Sequence, residues 1–297
     1  MVEVIYDGNL GNKLFQYCFG RILAEKLGYK LFAKPIEGFP GTYKQVDGQV
    51  HTAGLALTLR GQKPDLTFVN DINAKYHILL TGYFQRYEYY EHYARGIKTW
   101  LAIEDNISSD VGVNDVVVGI RRGNDYIPRH GLPISYYEDA LSSMQYDRVF
   151  ICTNEPSDPF VRYLQKKYSA KVRPPGALDN LIFIKKFKKI VISNSTFLWW
   201  AVFLSDAQEI IFPRPANGFW SSSDPMSKNI SLEVGEPRYK YLACEKYKSE
   251  FVSEKVRIYS DKLASGTKIA MKELFPFLKR RKHDTKSAIS FNESSND

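Results

Sequence analysis

The sequence predicts an α/β protein whose second half is a doubly wound parallel sheet. Three observations carry this. From residue 116 onward, short apolar runs alternate with helical segments of about ten residues, the rhythm of βαβ units. The runs Val116–Ile120 and Arg148–Thr153 are short and rich in β-branched or aromatic residues, as buried strands are. Glycine, hydroxyl and charged residues follow directly at Arg121-Arg122-Gly123 and Asn194-Ser195-Thr196, at the carboxyl ends of strands, where open α/β sheets bind ligands.

In order, Val2–Tyr6 reads as the first strand. Asp7–Asn12 is a glycine-punctuated turn, and a helix is expected from about Lys13 to Leu27, stopped by Gly28. Strand, glycine turn and helix bring backbone N–H groups toward an anion, although a tight structural turn gives the same pattern. Lys30–Ala33 is a second strand, and residues 38–62 show no clear period. Ile78–Gln85 reads as a strand. The aromatic stretch Tyr87–Leu101 has near-helical spacing, which serves a core or a sugar-stacking wall. Residues 104–114 are polar and read as a linker. After the strand at 116–120, a helix opens at Pro133 with Ser135 as its N-cap. Helices are then expected at 159–168, 178–187 and 197–204, and strands at 148–153, 171–172, 189–193 and 209–213. The helix from Phe197 is apolar on nearly all faces and must be buried between layers. Residues 240–256 suggest an amphipathic helix, 267–282 set apolar residues beside a basic cluster, and 284–297 have the composition of disorder. This divides the chain into 1–112, 113–235 and a basic tail, 236–297.

Arg121 and Arg122 are the first chemical signal. Two buried guanidiniums require anions, and their forks match phosphate, so the pair reads as a diphosphate site. The competing reading is a loop whose arginines pair with local carboxylates. Ser195 and Thr196 at a helix start are the second signal, as anion ligands or as an ordinary N-cap. Asp179, opening the helix between them, suits the donor edge of a guanine or a helix cap.

Composition excludes several classes. The three cysteines, Cys18, Cys152 and Cys244, form no metal or disulfide pattern. The start of the chain lacks the pattern of a signal peptide, and its longest apolar run, Phe197–Leu204, falls far short of the ~20 residues of a membrane span. A cytoplasmic location is therefore expected. The net charge is +8, of which +5 lies in 236–297. A basic tail suits an anionic membrane surface or nucleic acid, and residues 262–282 are expected to give weak peripheral attachment to anionic lipid.

Five segments resemble motifs of the α-1,2-fucosyltransferases, glycosyltransferase family 11, in the same order. Gly11-Asn12-Lys13-Leu14-Phe15-Gln16-Tyr17 resembles GNQLFQYA, and Gly82–Gln85 resembles GYFQ. Ile120–Tyr126 is similar to HxRRGDY, Pro133–Ala140 to PxxYYxxA, and Ser193–Ala201 to NSSFSWWxA. There are departures: Gly119 stands where the family has histidine, Asn124 is an added residue, and Lys13 replaces a glutamine.

The resemblance implies a GT-B-type fold of two Rossmann-like domains, the first on the acceptor side and the second binding the donor. It implies GDP-fucose as donor, inversion, no metal and no other cofactor, and a glycan acceptor, with the 2-hydroxyl of a terminal galactose as target. Carried over, Arg121 and Arg122 hold the diphosphate and Asp125 is the candidate base. Gly11 and Asn12 face the donor sugar or phosphate, Ser195 and Thr196 the β-phosphate, Phe197 the base region and Asp179 the guanine. The rivals are a transferase of another nucleotide sugar and a basic nucleic-acid-binding protein. Against the latter, the arginines lie at strand ends and no nucleic-acid motif is present, so no nucleic-acid partner is expected.

Overall fold

The computed structural model describes residues 1–50, 55–70, 75–123, 126, 130–215, 220–222 and 229–244. It is an α/β structure with two parallel sheets. The first half contributes β1 (Val2–Val4), α1 (Leu10–Leu27), β2 (Leu31–Phe32), β3 (Leu55–Leu59), β4 (Tyr76–Leu80) and α2 (Ala94–Trp100). Its strands form a four-stranded parallel sheet in the order β2-β1-β4-β3. α1 starts three residues earlier than the sequence suggests. The N–H groups of Asn12 and Lys13 donate to the Asn9 carbonyl at 2.9 and 3.1 Å, which puts Gly11 and Asn12 in the first helical turn. The aromatic stretch is not one helix: short 3-10 turns at Tyr87–Tyr89 and Glu91–Tyr93 precede α2. Tyr90 is fully buried and donates to the carbonyls of Phe15 and Phe84, so here the core reading holds.

The second half continues with β5 (Val116–Ile120), α3 (Ile134–Ser142), β6 (Val149–Thr153), α4 (Pro159–Lys167), β7 (Lys171–Val172), α5 (Ala177–Ile184), β8 (Lys189–Ile192), α6 (Thr196–Phe203) and β9 (Glu209–Pro215). A two-stranded antiparallel ribbon, β10 (Ser221–Ser222) and β11 (Ile230–Ser231), precedes β12 (Tyr239–Cys244). The main strands form a six-stranded parallel sheet in the order β12-β9-β8-β5-β6-β7. The chain starts in the middle, winds outward to β7, returns to β8 and winds out the other way, the order of Rossmann-type sheets. Both faces are covered. Val117, Phe150 and Ile190 share one face and belong to a core with Phe183 and Phe187 around α5. Val118, Ile151 and Val191, of opposite parity, are buried as well.

Three expectations need correction. Residues 239–244, read as the opening of a helical tail, are an edge strand paired along their whole length with β9. The N-cap of α3 is Pro133, and Ser135 lies inside the helix. The helix expected at 178–187 ends at Ile184. The rest of the tail, with the segments expected to be amphipathic, lipid-binding or disordered, lies outside the described residues. No helix among the described residues is long and apolar enough to cross a membrane.

The all-apolar helix is buried as expected. From Leu198 to Phe203 every residue of α6 is buried, and its tryptophans meet α1: Phe15 lies 5.0 Å from Trp199 and 4.8 Å from Trp200 between ring centres. This aromatic seam joins the two sheets.

Candidate functional site

In the six-stranded sheet the winding reverses between β5 and β8, which leaves a crevice outside their carboxyl ends. A cleft of about 590 Å³ occupies it. Its walls are the ends of β5 (Arg121), β6 (Cys152–Asn154) and β8 (Asn194, Ser195), together with the first turn of α1 and with Tyr83 and Gln85 beyond β4. The first sheet contributes because its own winding reverses between β1 and β4.

Three helices start at this cleft: α1, α5 and α6. Asn9 and Gly176 give α1 and α5 no side-chain cap, so N–H groups of their first turns remain for a ligand. Helix starts carry partial positive charge and suit anions. Ser195 does cap α6, its Oγ accepting from the Leu198 N–H at 3.5 Å. Arg121 is the one arginine or lysine among the described residues lining the cleft. Its loop is tied to the start of α6: the Arg121 N–H donates to Ser193 Oγ at 2.9 Å. Its guanidinium lies 5.7 Å from the centre of the Tyr126 ring, and the Tyr126 hydroxyl donates to the Asn194 carbonyl.

Arg122 behaves differently. It is 6 % exposed and is not among the residues lining the cleft. Its Nε donates to Asp158 Oδ2 at 3.0 Å, and its guanidinium lies 4.2 Å from the centre of the Phe160 ring. Asp158 also caps α4, accepting from the Phe160 N–H at 2.9 Å. Arg121 thus lines the cleft, while Arg122 has a carboxylate partner in Asp158 and keeps its buried Nη1 without one.

Gly11, Asn12, Ser195, Thr196 and Phe197 all line the cleft. Asn12 Oδ1 accepts from Gln85 Nε2 at 3.0 Å and from Thr196 Oγ1 at 3.1 Å, bridging the two halves. Gly11 permits this approach, since a Cβ there would fall 2.6 Å from the Thr196 carbonyl carbon. Asp179 is exposed and does not line the cleft; its neighbour Asn180 does. Asp125 and Asn124 lie outside the described residues. Gly119 packs closely on α6: a Cβ there would lie 2.6 Å from Leu198 Cδ2, so that side chain would have to shift.

Among the lining residues, Asn180, His130 and Cys152 had no functional signal in the sequence, whereas Asn194, Tyr83 and Tyr126 stand in segments that resemble motifs. Asn180 and Asn194 are 6 % and 2 % exposed, and each has a buried side-chain oxygen with no partner. Asn180 is oriented by donating Nδ2 to the Pro174 carbonyl at 3.3 Å, so its Oδ1 is an acceptor awaiting a donor. Tyr83, Tyr126, His130 and Cys152 also line the cleft. Burial pushes the Cys152 thiol up to about 12. The Tyr83 hydroxyl donates to Asp7 Oδ2 at 2.5 Å, which raises its pKa to about 12. Burial holds Tyr126 well above the phenol range. None of these three ionises near neutral pH, where imidazoles as a class exchange protons, and His130 is the one histidine among the described lining residues. The pattern of periodicity and turns does not reveal such residues, because they meet only once the strand ends are brought together.

Fold and cleft together define a class: an α/β protein of two parallel sheets with an anion-suited cleft at a topological switch point. No protein-family model matches the chain, and no curated protein does.

Proposed function

We propose that the chain is an inverting, metal-independent glycosyltransferase of GT-B type that uses a nucleoside-diphosphate sugar. GDP-fucose is the donor that the motifs favour, and a hydroxyl of a glycan, the 2-hydroxyl of a terminal galactose, is the acceptor. The observation that carries this reading is the convergence of Arg121 with the starts of α1, α5 and α6 on one cleft. Such an arrangement suits a diphosphate, whose charge grows as the bond to the sugar breaks. In the reaction the acceptor oxygen forms a bond to the anomeric carbon from the face opposite the diphosphate. The carbon–oxygen bond to the diphosphate breaks, and its electron pair stays on the departing phosphate oxygen beside Arg121. The single displacement inverts the centre. The acceptor proton passes to a base, for which Asp125 is the candidate by resemblance and His130 by position in the cleft. Asn180 Oδ1 is placed to accept from an N–H of the nucleobase, the role the resemblance gives to Asp179.

A transferase of another nucleotide sugar is the second reading. What favours it is the replacement of the family's histidine by Gly119 and the presence of an amide, Asn180, rather than an acid at the cleft wall. Calorimetric titration with GDP, UDP and ADP, without metal and then with Mg²⁺, tests both. Wild-type protein is expected to bind GDP without metal, and Arg121→Ala to lose about 2 kcal/mol or more of that affinity while remaining folded. Binding of UDP or ADP alone would favour the second reading. Failure of all three nucleotides to bind would overturn the assignment of the cleft.

A further inference from the structure

We infer that a second cleft, of about 540 Å³ at the β2 edge of the first sheet, binds an acidic saccharide: a sugar ring carrying a carboxylate or a phosphate. Resting on the glycosyl-transfer reading, the ligand is an outlying part of the acceptor.

The cleft combines cations with exposed aromatic rings. Lys30, Lys34 and Lys44 line it, and none of them forms an ion pair with a described residue. The one carboxylate among its described lining residues, Glu3, lies 3.1 Å from His77 Nε2. A concave surface with uncompensated positive charge focuses the field and concentrates anions. Phe32 and Tyr43, 42 % and 58 % exposed, also line it. Of the three large aromatics exposed among the described residues, these two share this cleft, and the third, Tyr93, lies elsewhere. The Lys30 ammonium is 5.5 Å from the centre of the Phe32 ring, so cation and ring are presented together.

Exposed aromatic faces carry an unfavourable apolar contact with water, which the C–H face of a pyranose relieves while its hydroxyls stay hydrated. The lysines select a ring bearing negative charge. The position fits an extended acceptor. β1 leaves this cleft at Ile5, and two residues on, Asp7 accepts the Tyr83 hydroxyl at the wall of the main cleft. A saccharide of several rings reaching past Tyr83 runs toward the second cleft.

The test titrates the full chain with trigalacturonic acid, with neutral galactotriose and with galactose 1-phosphate, each followed by GDP. The proteins are wild type, the double variant Lys34→Glu/Lys44→Glu and Tyr43→Ala. All three positions are exposed, so the fold should survive, and a thermal melt checks this. Wild type is expected to prefer trigalacturonate or galactose 1-phosphate over the neutral sugar by at least about tenfold, and the charge reversals to remove that preference. The two acidic ligands separate carboxylate from phosphate recognition. Tyr43→Ala should weaken the neutral and acidic sugars alike, and GDP affinity should be unchanged throughout. Equal binding of neutral and acidic sugars would overturn the inference. So would insensitivity to the charge reversals, or lysine-dependent capture on phosphatidylglycerol vesicles without saccharide binding. GDP binding with no acidic-sugar binding rejects the second cleft alone; the converse rejects the nucleotide cleft alone.

Discussion

Arg121 and Arg122 are adjacent in sequence and separate in role. Residues that follow one another out of a strand leave it on opposite sides, so one guanidinium turns to the cleft and the next to Phe160 and Asp158. Removing Arg122 leaves Asp158, 17 % exposed, without its partner. Arg122→Ala is therefore expected to cost about 3 kcal/mol in urea unfolding, whereas Arg121→Ala should leave the midpoint nearly unchanged. His130 makes a second residue-scale prediction. If it accepts the acceptor's proton, His130→Asn should keep GDP affinity and lower the transfer rate about 100-fold or more. An unchanged transfer rate in His130→Asn, with the rate lost in Asp125→Asn, would assign the proton to Asp125. The Tyr126 ring lies 5.6 Å from that of His130 between centres. The Arg121 signal was legible in the sequence because guanidiniums at a strand end are conspicuous. That Arg122 has Asp158 was not legible, since the two lie 36 residues apart.

Among elements, α1 and α6 position the cleft. Their starts approach so closely that only glycine fits at position 11, where an added Cβ would strike the backbone of Thr196 and Phe197. Gly11→Ala must push the helices apart. The expected cost is about 1–3 kcal/mol of stability, with weakened GDP binding, read by urea unfolding and calorimetry on the same variant. A variant as stable and as tight-binding as wild type would mean that the helices do not hold the cleft. The elements differ in how openly the sequence announces them. β5 and β6 are buried at every residue and appear as unbroken apolar runs. β12 is an edge strand with mixed exposure, and its polar spacing reads as one face of a helix. β3 is exposed for most of its length and leaves no periodic trace.

At the level of the molecule, β1, β2 and β4 of the first sheet and the strands β5 to β9 of the second were legible, and β3 and β12 were not, for a physical reason. The inner strands of the second sheet are buried on both faces, which forces apolar residues along them. The first has an outer row, including Glu3, Phe32 and His77, with substantial exposure, and it spends its sequence on polar and aromatic surface. The two sheets meet through Phe15, Trp199 and Trp200 and through the shared Asn12 oxygen. That joint has the character of a weld rather than a hinge, and it bears on how such a protein can be recombined. A graft of a foreign first half cannot be cut at the polar stretch 104–114 alone, because half of the contact surface is carried by α6, about ninety residues downstream. The exchangeable unit is the first half together with the α6 side chains that face it. The two halves would then diversify as matched pairs rather than as independent cassettes.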